Sequence, residues 1–153
     1  MTWSPATGGL MLLLDVNVCV YAFRRESRRH ADFRAWLEQA LSGSELVGVP
    51  EQVLASLVSL VTNYRIYKDP STPTAVLSFC DAILDAPTAV RVRPGERHWQ
   101  IFHDLVAEHG LRGNDIPDAS LAALALEQGA TWVTTDRGFA RYQGLTLLDP
   151  LAP

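Results

Sequence analysis

Short apolar runs alternate with longer stretches of helical spacing from Leu10 to the C-terminus. Leu10 to Leu14 is uninterruptedly apolar and reads as a buried strand, followed by a helix over Val16 to Phe23. Arg24 to Arg29 forms a basic connection into a second helix, His30 to Leu41, whose Phe33, Trp36 and Leu37 share one face. Leu46 to Val49 is a short strand, and Pro50 opens a helix over Glu51 to Thr62. Ser71-Thr72-Pro73 combines a capping hydroxyl with proline in the first turn, starting a helix that runs to about Asp85. Val90 to Val92 is a strand, and Glu96 to Glu108 a helix ended by His109-Gly110. Asp115 to Gln128 is a helix ended by Gly129, and Thr131 to Val133 and Leu145 to Leu147 are the last strands. Strands alternating with helices imply an α/β fold with a mainly parallel sheet covered on both faces.

The chain has 153 residues, 48% of them apolar, which fits a single domain over residues 11–153 with a loose tail over residues 1–10. That tail lacks the basic and apolar regions of a signal peptide, and no apolar run is long enough to span a bilayer. Cys19 and Cys80 each lie in an apolar helix, with no CxxC spacing, so both read as reduced core thiols of a cytoplasmic protein. A net charge of −4 argues against binding polyanions over the whole surface and leaves only a local patch for such a partner.

Carboxylates stand at three starting points of elements. Asp15 follows the first strand and Asn17 lies two residues on; Asp118 sits near the start of the helix at Asp115; Asp136 follows the fourth strand, after Thr134. Polar groups just past the carboxyl ends of parallel strands face the crevice where ligands bind. Each acid also has a purely structural reading. Asp15 can cap the helix at Val16, Asp115 can be an N-cap with Asp118 at the third helical position, and Asp136-Arg137-Gly138 can be a turn. Acids at i and i+3 also project to one side, so Asp118 is the candidate ligand and Asp115 either a cap or an outer acid. Carboxylates gathered without basic partners raise one another's pKa unless a cation lies between them, and the single lysine, Lys68, sits in a loop-like segment. A divalent metal held by Asp15, Asp118 and Asp136 satisfies that requirement. His30, His98, His103 and His109 have no such pairing, and His109 suits a helix C-terminus.

Five segments together resemble the PIN-domain ribonucleases, specifically VapC-type toxins of bacterial toxin–antitoxin pairs. They are Leu13 to Asn17, Leu60 to Asn63, Gly95 to Trp99, Gly113 to Ala125 and Thr134 to Phe139, with Asp136 eighteen positions after Asp118. The resemblance covers Met11 to Pro150 and implies a three-layer α/β/α PIN-like fold, a Mg²⁺- or Mn²⁺-dependent endoribonuclease, a homodimer, and a VapB-type antitoxin that covers the active site. Carried over by position, the family's acids fall on Asp15, Asp118 and Asp136, its polar partner of the first acid on Asn17 and its hydroxyl on Thr134. RNA, transfer or ribosomal, is the implied substrate. One position departs from the pattern. Ser56 stands where the family usually places a glutamate, and Glu51, five residues earlier, is rotated by roughly 140° on a helix. Asp115 is the candidate for supplying the missing charge. The alternative is a catalytically weakened PIN-like domain that acts by binding RNA or its antitoxin. A haloacid-dehalogenase-type phosphatase also begins with Asp-x-Asp, but Asn17 replaces its general acid. The arginines Arg24, Arg25, Arg28, Arg29 and Arg34, with Arg112, are either a solvated surface or an RNA contact. Trp36 and Trp99 read as core.

Overall fold

The computed structural model describes residues 11–152. The proposed tail over residues 1–10, and Leu10 as the first strand residue, lie outside them. Five strands, β1 (Leu12–Leu14), β2 (Val47–Pro50), β3 (Ala89–Val92), β4 (Thr131–Val133) and β5 (Thr146–Leu148), form one sheet in the order β3-β2-β1-β4-β5. Every pairing is parallel, with Leu12 opposite both Val47 and Thr131. β1, β2 and β4 are buried along their whole length, as parallel strands covered on both faces must be.

Six α-helices connect them: α1 (Val16–Phe23), α2 (His30–Leu41), α3 (Glu51–Val61), α4 (Pro73–Leu84), α5 (His98–His109) and α6 (Asp115–Gln128). The chain steps from β1 to β2 to β3 in one direction and then crosses back to β4. Right-handed crossovers therefore put α1 to α4 on one face and α5 and α6 on the other. The contacts agree: α1 packs on α2 and α3, α3 on α4, and α5 along α6. The result is a three-layer α/β/α fold. Its core centres on Leu13, Leu14, Leu57, Leu124, Trp132 and Phe139.

This topology also positions a crevice. Beside β1 the strand order reverses, so the loops after β1 and β4 leave toward opposite faces and part at the carboxyl edge of the sheet. Residues 15–17 and 134–136 occupy that parting.

The helices over Val16, His30 and Asp115 begin and end where their periodicity places them, and Thr72 caps α4 by accepting from the Ala75 N–H at 3.2 Å. Other boundaries move. α5 begins at His98 rather than Glu96, because the Gly95 and Arg97 N–H groups donate to the Glu127 carboxylate at 2.7 and 3.0 Å and hold that segment against the end of α6. Pro50 opens α3 as its N-cap and also closes β2, while β5 is shifted by one residue to Thr146–Leu148. Cys19 and Cys80 are buried free thiols, and burial pushes the Cys19 thiol up to about 12.

Two side chains sit opposite to their expected places. Trp99 is 68% exposed, because α5 turns its Leu105 face to the core, whereas Trp36 is half-buried. Arg24 is buried: its guanidinium donates to the Asp69 carbonyl and the Ser71 hydroxyl, both at 2.9 Å, pairs with Glu26 and lies 4.1 Å from the Tyr67 ring centre. It ties α1 to the segment before α4 and is not part of an exposed basic face. Among the described residues no helix is long and apolar enough to cross a membrane.

Candidate functional site

Asp15 stands where β1 becomes α1. Its N–H donates to the Val133 carbonyl at 2.9 Å, extending the β1–β4 ladder by one bond. Its Oδ1 accepts from the Val16 N–H at 2.7 Å and its Oδ2 accepts from the Thr134 hydroxyl at 2.7 Å. Asp15 is thus the N-cap of α1, and the same carboxylate, only 5% exposed, is also bonded to the loop after β4. Thr134 joins the two loops, because the same hydroxyl accepts from the Asp136 N–H at 3.0 Å. Asp136 in turn caps a 3₁₀ helix (Arg137–Arg141), its Oδ1 accepting from the Gly138 N–H at 2.8 Å. A Cβ at residue 138 would lie 3.0 Å from that oxygen, so a small residue there keeps the turn closed.

Asp118 enters from the other layer. α6 starts at Asp115, with Asn114 before it, so Asp115 is the first helical residue and not the N-cap, and Asp118 is the fourth. Gly113, at a φ of 61°, closes the preceding turn in the left-handed region that favours glycine. Asp115 points its carboxylate to Arg141, with Nη2 at 3.5 Å from Oδ1. The expectation of an acidic cluster without a basic partner is therefore corrected: Arg141, on the 3₁₀ helix, stands beside the outermost acid.

The electrostatics follow from this packing. Burial pushes the Asp15 carboxyl up to about 6, against the hydrogen bonds from Thr134 and Val16, and the charges of Asp118 and Asp136 raise it further. Asp118 is raised by burial first, then by Asp136 and Asp115, while Arg141 opposes the rise. Three acids on three segments therefore act on one another across the crevice.

The candidate donors Asp15, Asp118, Asp136 and Thr134 all offer oxygen, which fits a hard cation. Among the described residues, however, no three His, Cys, Asp or Glu side chains come close enough to enclose a metal. The donor set fits an open Mg²⁺-type site, where one or two carboxylates suffice and water completes the shell, and not a closed cage. Asn17 Oδ1 is buried without a hydrogen-bond partner among the described residues, an acceptor still unsatisfied near the start of α1. No hydrogen bond links Asn17 to the acids, so the structure joins Asp15, Thr134 and Asp136 by contact, Asp118 by charge, and Asp115 through Arg141.

Glu51 is not free to supply the missing charge. It pairs with Arg93 at 2.7 Å, joining the start of α3 to the loop after β3, and Ser56 is exposed on α3. Arg141 and Tyr142 are the neighbours of the site that the sequence did not single out. Tyr142 is buried, its hydroxyl has no partner among the described residues, and its ring stands edge-on to His109 at 5.2 Å. Their only signal in the sequence is a short distance from Asp136, which says nothing until the intervening residues are known to coil.

A five-stranded parallel sheet between two helical layers, with acids gathered at its switch point, defines a class of α/β domains. The PIN domain profile matches residues 12–145. The chain belongs to the PIN-domain family, in the group of the VapC ribonucleases. It is 49% identical over 141 residues to VapC ribonuclease Mb2897 of Mycobacterium bovis, a match covering 92% of this chain and 96% of that protein. It is 35% identical over 140 residues to ribonuclease VapC31 of Mycobacterium tuberculosis, covering 92% and 99%. Among solved structures it resembles VapBC2 from Rickettsia felis, bound to a DNA fragment from its promoter, with a TM-score of 0.68 at 22% identity over 91% of this chain and 98% of that one. The Mycobacterium tuberculosis VapC20 toxin, which cleaves the sarcin-ricin loop, aligns with a TM-score of 0.62 at 15% identity over 84% and 92%. At those identities the two structures speak to the fold alone.

Proposed function

We propose that this protein is the toxin of a type II toxin–antitoxin pair, an endoribonuclease that cleaves RNA phosphodiester bonds with Mg²⁺ or Mn²⁺. The observation that carries the reading is Asp15, buried and held by Val16 and Thr134 at the sheet's switch point with the charges of Asp118 and Asp136 upon it, in a chain 49% identical to a VapC ribonuclease. When bound, the cation neutralises charge that builds on the scissile phosphate. Asp15 and Asp136 would hold it. Asp118 completes that set or orients the attacking water. Thr134 fixes the rotamer of Asp15 with one hydrogen bond and the Asp136 backbone with another, so the two loops move together. Asn17 offers the buried oxygen that lacks a partner.

Several of the resembling solved structures are toxin–antitoxin complexes, among them VapBC from Salmonella typhimurium. By the same reading a VapB-type antitoxin restrains this protein, an arginine of that partner forming bidentate bonds to the acids in place of the cation, and the toxin is a homodimer. The test is cleavage of RNA by purified protein: activity in Mg²⁺ or Mn²⁺, arrest by EDTA and loss in Asp118→Asn support the proposal, and metal-independent cleavage refutes it. A second reading, a weakened domain that binds RNA without cutting, draws on the absent glutamate, since Glu51 is committed to Arg93 and Ser56 carries no charge. RNA binding without turnover across a Mg²⁺ titration selects it.

A further inference from the structure

A carboxylate site repels the polyanion it is meant to receive, so the substrate needs a cation from the protein as well as from the metal. The arginine-rich connection after α1 is largely committed elsewhere. Arg24 is buried, Arg29 pairs with Asp32 at 3.0 Å and Arg34 with Glu38 at 2.9 Å. Arg141 is placed differently. It is the last residue of the 3₁₀ helix that Asp136 caps, between Phe139 and Tyr142, both buried in the core, so its backbone is fixed relative to the site. Its Nε donates to the Gly138 carbonyl at 3.1 Å and its guanidinium carbon lies 5.2 Å from the Tyr142 ring centre. Nη2 reaches Asp115 only at 3.5 Å, and neither Nη group makes a hydrogen bond among the described residues. The side chain is 38% exposed. The guanidinium is thus oriented by its inner nitrogen and by an aromatic platform, while its outer edge faces a loose ion pair that a phosphate can replace.

We infer that Arg141 is an RNA-phosphate ligand at the mouth of the acidic site, and that Asp115 is its counter-charge when no substrate is bound. A phosphodiester accepts two parallel N–H bonds from a guanidinium edge, which the single long contact to Asp115 does not provide. The charge of Arg141 also opposes the rise of Asp118, consistent with its lying within reach of the crevice. Asp115 then belongs to substrate admission rather than to the metal. The inference rests on the ribonuclease reading and makes it specific: the phosphate bound here neighbours the one that is cut.

The experiment measures binding of a short fluorescein-labelled single-stranded RNA of mixed sequence in EDTA over a series of salt concentrations, beside KM and kcat for its cleavage in Mg²⁺. Arg141→Gln is expected to weaken binding about tenfold at low salt, as loss of a charge-assisted hydrogen bond does, with KM rising more than kcat falls. The slope of log affinity against log salt should diminish by about 0.7, the share of one single-strand phosphate. Arg141→Lys should retain the slope and recover part of the affinity, because charge survives and the planar fork does not. Asp115→Asn should bind RNA more tightly than wild type, and it remains informative even if Arg141→Gln folds poorly. Wild-type affinity and slope in Arg141→Gln, or weakened binding in Asp115→Asn, overturns the inference while leaving the cleavage of wild-type protein untouched. A wild-type protein that neither binds nor cuts RNA overturns the ribonuclease reading itself.

Discussion

Asp15→Asn should make the metal-free protein more stable at neutral pH while removing its affinity for the cation. Burial raises the Asp15 carboxyl from 3.8 in the unfolded chain to about 6 in the fold. The folded state therefore holds this proton more tightly than the unfolded state. The stability that the protonated acid contributes is fully present below pH 3.8 and is lost as the pH rises through about 6. At 1.36 kcal/mol per unit, a rise of about two units means that the ionised, metal-free site is about 3 kcal/mol less stable at pH 8 than with the proton bound. Asparagine removes that charge. Its Oδ1 still accepts from Val16 N–H, but its amide cannot accept from the Thr134 hydroxyl, and the lost bond costs about 1 kcal/mol. The net expectation at pH 8 in EDTA is a gain of about 1–2 kcal/mol, a rise of several degrees in Tm for a chain of this size. Denaturation of both proteins from pH 5 to pH 8 measures it: the gap should narrow toward pH 5, where wild-type Asp15 is already protonated. Mg²⁺ should raise the Tm of wild type alone, because only that site binds it. A variant that is less stable than wild type at pH 8, with a deficit independent of pH, would refute the argument that charge burial dominates this position.

Gly48→Ala should lose about 1–3 kcal/mol in a urea titration, because a methyl at that point of β2 would overlap Leu13 and come within 2.9 Å of Val92 Cγ2. Tyr142→Phe should leave stability unchanged or slightly raised, since the hydroxyl it removes is buried with no partner among the described residues; a loss above about 1 kcal/mol by the same titration would mean that the hydroxyl is hydrogen-bonded in solution. Ser56→Glu should keep its Tm in EDTA, with a change within about 0.5 kcal/mol at this exposed helical position. The same variant should reach half-maximal cleavage at lower Mg²⁺, because a carboxylate there restores the charge that the family pattern carries; an unchanged Mg²⁺ requirement would show that α3 does not serve the cation.

What the sequence by itself determined is what local physics determines. The apolar periodicity of Val16–Phe23, His30–Leu41 and Asp115–Gln128 is a property of neighbouring residues, as are the caps at Thr72 and Gly129, so those helices were legible from the chain. Asp15, Asp118 and Asp136 were legible for a related reason. Asp15 and Asp136 follow the carboxyl ends of parallel strands, which share one edge of the sheet, and Asp118 lies in the first turn of the helix whose charge reaches them. Only the tertiary structure decided which charges meet. Arg24 carries the same local signal as Arg25, yet it is buried by bonds to Asp69 and Ser71, more than forty residues away. Glu51 was a free acid until β3 brought Arg93 alongside it, and Asp115 an N-cap until the 3₁₀ helix after Asp136 carried Arg141 across to it. Trp99 has the spacing of a core residue and stands in solvent, because the face of α5 that docks is set by Glu127 and Ser120 on α6. Spacing encodes which side of an element a residue shares; the partner on that side is chosen by where a distant segment comes to rest, and an ion pair's worth depends on that distance and burial rather than on either residue's neighbours along the chain.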